Sequence, residues 1–122
     1  MSHAIDQSYF VKNNKPVISS FLEAGFKRKA IAEAYKINYQ ILRDDKITVE
    51  ASKALRPLTQ LVPYLINVFK GDSERIIIWL NEGNVAFHGL TPIEMCYIRR
   101  EPEVMSFLNS HLDPENREVF RG

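Results

Sequence analysis

Asp72-Ser73-Glu74-Arg75-Ile76-Ile77-Ile78-Trp79-Leu80, written DSERIIIWL, is the stretch on which the fold class turns. Its apolar end, residues 76–80, is short and largely β-branched, a pattern that suits a buried strand or a buried helical turn equally well. What precedes it separates the two. Asp72 or Ser73 can cap a helix and Glu74 suits its first turn, because a helix N-terminus exposes unpaired N–H groups and favours negative charge. No partner strand is evident elsewhere, so the stretch is read as a helix and the chain as all-α.

Downstream, Asn81, Gly83, Asn84 and Gly89 supply the backbone freedom of a loop. Thr91-Pro92-Ile93-Glu94 then combines three helix-start signals: a threonine cap, a proline whose missing N–H costs nothing there, and a glutamate that can reach back to the cap N–H. The helix from Pro92 buries Ile93, Met95 or Cys96, and Tyr97. Glu101-Pro102-Glu103 restarts the chain, and Val104, Met105, Phe107, Leu108 and Leu112 form the stripe of a last helix. Trp79 and Phe87 read as core anchors that pin the intervening loop.

Upstream, an apolar stripe from Ala51 through Leu58, Leu61, Leu65 and Phe69 predicts one long helix over residues 48–69, kinked or broken near Pro57 or Pro63. Residues 27–46, KRKAIAEAYKINYQILRDDK, read as two short helices around the corner Lys36-Ile37-Asn38, with Asn38 as an N-cap; this is the organisation of a helix-turn-helix. Pro16 suits the first turn of a helix carrying Val17, Ile18, Phe21 and Leu22, closed by Gly25. The first 14 or so residues read as a loose arm.

Composition sets wider bounds. The 122 residues are 45% hydrophobic and 25% charged, ordinary for one globular domain. A single cysteine cannot form an internal disulfide and fits a reducing cytoplasm. No signal-peptide core and no membrane-length apolar run is present, so a cytoplasmic location is expected. Residues 1–46 hold eight Lys/Arg against five Asp/Glu, a local charge of +3, whereas residues 47–122 hold eight against ten, or −2. His3, His88 and His111 lack metal-ligand spacing, and no phosphate-binding glycine loop or nucleophile elbow occurs. No metal, no cofactor and no small-molecule substrate are therefore expected, and the chain reads as a non-enzyme.

Residues 79–95, WLNEGNVAFHGLTPIEM, resemble the hallmark segment of the Xre/MbcA/ParS antitoxin family through Trp79, Leu80, Asn81, Asn84, Gly89, Thr91, Pro92, Ile93 and Glu94. The likeness extends upstream through Ile47-Thr48-Val49-Glu50-Ala51-Ser52 and Val68-Phe69-Lys70-Gly71-Asp72, and downstream to Val104 and Leu108. It implies an N-terminal helix-turn-helix (residues 1–46, arm included) and a helical toxin-binding module (residues 47–122, long middle helix included). It also implies a homodimer, a RES-domain toxin that degrades NAD as protein partner, and repression of the operon encoding both. The alternative is a solitary helix-turn-helix regulator without an active toxin.

In a helix-turn-helix the second helix enters the major groove, which assigns Asn38, Tyr39, Gln40 and Arg43 to base edges. Lys27, Arg28, Lys29 and Lys36 would meet phosphates. Two features oppose this: Lys36 stands where the turn usually wants glycine, and Asp44 and Asp45 would face a polyanion. The competing reading is a scaffold or dimerisation element. Toxin-contact candidates are Asn84 and His88 in the loop, Arg99 and Arg100 after its helix, and Arg117, Phe120 and Arg121 in the tail. Arg99 and Arg100 equally suit a solvated helix end, and the tail an unstructured terminus.

Overall fold

The computed structural model describes residues 4–44 and 46–111. Helices dominate, joined by one small hairpin near the start. The reading of residues 72–80 as helical holds: α7 runs Ser73–Leu80, with the Asp72 carboxylate accepting the Arg75 N–H at 3.3 Å. Ile76 and Leu80, one turn apart, face the core, whereas Ile78 on the opposite side is exposed.

The N-terminal arm corrects the expectation of a loose segment. A 3-10 helix, Gln7–Tyr9, is capped by Asp6, whose carboxylate accepts the Ser8 N–H at 2.9 Å. Strands β1 (Val11–Lys12) and β2 (Lys15–Pro16) then pair antiparallel around Asn13 and Asn14, both left-handed at φ 53° and 63°. A two-residue turn with positive φ at both positions matches the twist of the strands, and Asn tolerates that conformation better than most residues. Pro16 therefore ends a strand instead of opening a helix. Phe10 is buried, the Ile5 N–H donates to the Gly71 carbonyl at 2.8 Å, and the Ser20 hydroxyl donates to the Tyr9 carbonyl at 2.5 Å.

Helix α1 (Ile18–Glu23) ends before Gly25, whose φ of +118° is open to glycine and strained for other residues. Helices α2 (Arg28–Tyr35) and α3 (Tyr39–Arg43) meet at the expected corner. Lys36 takes the left-handed conformation, φ 57°, and the Asn38 side chain accepts the Gln40 N–H at 2.8 Å.

The predicted long middle helix is broken twice, into α4 (Val49–Ala54), α5 (Arg56–Thr59) and α6 (Val62–Phe69). Pro57 and Pro63 each occupy the first turn of a new helix, where the absent N–H has no intrahelical acceptor to leave empty. After α7, a 3-10 turn (Val85–Phe87), α8 (Pro92–Tyr97) and α9 (Glu101–Ser110) complete the described chain. Helix α9 lies along α6, and α8 packs on α2, so early and late helices among the described residues contribute to one core. Among the described residues no helix is long and apolar enough to cross a membrane.

Candidate functional site

The loop between α7 and α8 is built by its own polar side chains. Asn81 donates through Nδ2 to the Ile77 carbonyl and, across the molecule, to the Ala24 carbonyl, each at 2.7 Å. A Cβ on Gly25 would collide with that same amide, which gives Gly25 a second reason to be glycine. Asn84 closes the loop: its N–H donates to the Leu90 carbonyl at 3.0 Å, its carbonyl accepts the N–H groups of Phe87 and Gly89, and its side chain accepts the Ala86 N–H. Opposite it, Gly83 approaches the Gly89 carbonyl so closely that a Cβ would lie 2.6 Å from that oxygen.

The expected capping box is present. Thr91 accepts the Glu94 N–H at 3.0 Å and Glu94 accepts the Thr91 N–H at 2.8 Å, with Pro92 buried at the helix start. Phe87 is buried against Trp79 and Phe107, and the Trp79 and Phe107 rings stack at 5.9 Å. Trp79, Asn81, Phe87, Gly89, Thr91, Pro92 and Glu94 are thus all involved in holding one loop. What that loop turns outward is Val85, 95% exposed, with Ala86 and His88 beside it. His88 is left-handed at φ 58°.

The remaining partner-contact candidates divide. The Asn84 side-chain oxygen is committed to the loop. Arg100 pairs with Glu103 at 2.9 Å at the surface. Arg99 turns partly inward: its Nε meets Glu101 Oε2 at 2.9 Å, and its guanidinium lies 4.4 Å from the centroid of the Tyr35 ring. Arg117, Phe120 and Arg121 lie outside the described residues.

At the corner, Lys27, Lys29, Lys36, Asn38, Tyr39, Gln40 and Arg43 are exposed and Arg28 is half-buried. The Asn38 oxygen is occupied as a cap, and Arg43 pairs with Asp44 at 3.2 Å, offsetting one of the two acids beside α3. The Lys27 N–H donates to the Tyr97 hydroxyl at 3.0 Å, tying α2 to α8. Asp45 lies outside the described residues.

A buried polar cluster is present that the sequence does not announce. The Tyr35 hydroxyl donates to Glu101 Oε2 at 2.5 Å, and Glu101 is only 2% exposed. The sequence places Tyr35 in an apolar stripe and Glu101 at a helix start; both placements are correct, and neither indicates that the two side chains meet. Burial pushes the Tyr35 hydroxyl far above its usual range, with neighbouring Cys96 and Glu101 adding to the rise. Burial likewise raises the Cys96 thiol, so it stays protonated and unreactive at neutral pH. Among the described residues no group of three or more His, Cys, Asp or Glu is placed to hold a metal ion.

Comparison with protein families, with curated proteins and with solved structures finds no match to this chain.

Proposed function

We propose that this chain is the antitoxin of a toxin–antitoxin pair, a non-enzyme that binds a RES-domain, NAD-degrading toxin through its C-terminal helices and represses its own operon through α2 and α3 acting as a helix-turn-helix. The observation that carries the reading is the division of labour in the loop before α8. Its motif residues hold the backbone in one shape, while Val85 and His88 stand outward on it. A loop fixed before binding loses little conformational freedom on meeting a partner, which favours a protein-docking surface. Such a projection can block an enzyme cleft without catalytic groups of its own.

The DNA-binding half of the proposal rests on α3, whose Tyr39, Gln40 and Arg43 are exposed. Gln and Arg can each make paired hydrogen bonds to a purine edge. Arg43→Ala is expected to weaken operator binding by about 1–3 kcal/mol, measured by fluorescence anisotropy at fixed salt, and an unchanged dissociation constant removes Arg43 as a base reader. A homodimer would place two such helices on a two-fold symmetric operator.

The deciding experiment expresses the neighbouring open reading frame alone and with this chain, scoring growth, cellular NAD and copurification. Toxicity and NAD loss that disappear on coexpression, with a stable complex recovered, support the antitoxin. A harmless neighbour that does not bind, together with sequence-specific DNA binding by this chain, gives the solitary regulator instead.

A further inference from the structure

Of the eight Lys/Arg in residues 1–46, five belong to the helical corner; the other three are Lys12, Lys15 and Lys46. Lys46 lies far from Lys12 and Lys15 in sequence, yet all three line a single hollow of about 570 Å³ together with Asn13, Pro16, Val17 and Ile47. Among the described residues no acidic side chain lines it. None of the three lysines forms an ion pair with a described residue, and the nearby Asp44 is engaged with Arg43. Lys12 and Lys15 are direct cross-strand partners in the hairpin, an arrangement of like charges that disfavours the isolated strand pair. Lys46 is held beside α3 by its N–H, which donates to the Ile41 carbonyl at 3.2 Å.

We infer that Lys12, Lys15 and Lys46 form a second contact site for the DNA phosphate backbone, adjoining the end of α3; the inference rests on the DNA-binding reading above. Lysine ammonium groups on flexible stems are point charges without a fixed fork, suited to a diffuse row of phosphates more than to one small anion in set geometry. Neighbouring phosphates relieve the repulsion between Lys12 and Lys15. Lys46 adjoins the helix assigned to the groove through its N–H bond to the Ile41 carbonyl, which puts one edge of the hollow next to α3 and within reach of a duplex seated there. The site adds affinity and register and reads no sequence.

The test uses the full chain, a duplex from upstream of its own gene, and a scrambled duplex, with anisotropy followed over a range of KCl concentrations. Replacing all three lysines by glutamine (Lys12→Gln, Lys15→Gln, Lys46→Gln) is expected to reduce the slope of log K against log salt by about 2.7, at about 0.9 for each phosphate no longer neutralised. The preference for the specific duplex stays unchanged. The charge-retaining triple Lys12→Arg, Lys15→Arg, Lys46→Arg keeps the slope, and far-UV circular dichroism verifies that every variant is folded. An unchanged slope in the glutamine variant, with wild-type chain still binding and Arg43→Ala still weakening it, overturns the second site alone. Absence of DNA binding by the wild-type chain at any salt overturns both readings. Wild-type chain and glutamine variant are also titrated with poly-glutamate. Loss of that binding in the variant, with its DNA binding intact, overturns the assignment to phosphate and makes the hollow a seat for an acidic protein.

Discussion

Among the polar tethers that join the N-terminal helices to the C-terminal ones, two are of opposite kinds. Asn81 reaches from the end of α7 to the Ala24 carbonyl, a neutral amide on a backbone acceptor at the edge of the core. Tyr35 reaches from the end of α2 to Glu101, a carboxylate inside the core with Arg99 closing over it. The first needs only a glycine opposite to make room. The second brings three side chains together, because a buried carboxylate is costly unless it is paired and hydrogen-bonded, and Tyr35 and Arg99 both meet Oε2. The neutral tether is therefore expected to lose less when its side chain is removed than the charged one loses when its carboxylate is removed.

That contrast can be broken most directly at Glu101. Glu101→Ala leaves the Tyr35 hydroxyl with only the 3.3 Å contact to the Cys96 carbonyl and empties a buried side-chain volume, and is expected to cost about 3 kcal/mol in urea unfolding. The double variant Tyr35→Phe, Glu101→Met removes both buried polar partners, leaving the half-exposed Arg99, and should lose less than Glu101→Ala alone; an equal or larger loss means that the cluster is net stabilising. Gly25→Ala follows, at about 2 kcal/mol, since it forces a Cβ onto the Asn81 amide at a φ that side chains rarely adopt. Asn81→Ala comes next, at about 1.5 kcal/mol, for a carbonyl left without its donor. Combined with Gly25→Ala it should fall short of additivity, because the first change already displaces the amide.

Alkali sharpens the comparison further, since one tether titrates and the other does not. Tyr35 and Cys96 hold their protons more tightly in the folded chain than at their ordinary values of 10.0 and 9.0. As pH rises the unfolded chain loses those protons first, so stability is intact below about pH 9 and falls above it. The expected loss is about 1 kcal/mol between pH 9 and pH 10. Cys96→Ala, followed by urea titration at each pH, should shrink that limb and Tyr35→Phe trim it less, with Tyr9 and Tyr97, also raised by burial, sustaining the remainder. A flat profile in the wild-type chain contradicts the assignment.

Legibility in the sequence follows the range of each interaction. The caps at Asp72, Thr91 and Asn38 are made within a few residues, and those helix starts are readable from residue type alone. Gly25 is readable as a helix end, but its collision partner, Asn81, lies 56 positions away and leaves no trace in local spacing. The Tyr35–Glu101 bond joins residues 66 apart and is invisible for the same reason. The middle helix is legible in part, its breaks expected near Pro57 or Pro63 and found at both, while its apolar stripe keeps helical period throughout because α4, α5 and α6 all face the same core. Periodicity reports the buried face, and only the prolines report the interruptions. The hairpin escapes notice although Asn13-Asn14 is a fair turn signal, since a two-residue strand offers no alternation to count. At the site, the residues that build the loop are legible, whereas the exposure of Val85 is not, because its outward pose is decided by the bonds around Asn84.

The Ile5 N–H bound to the Gly71 carbonyl has a consequence for how the molecule is made. On a ribosome, Ile5 is added long before residue 71, so the arm waits without its dock. Its closure over the end of α6 comes late in synthesis. A Cβ placed on Gly71, which would lie 2.5 Å from the Ile5 carbonyl oxygen, would act on that final step.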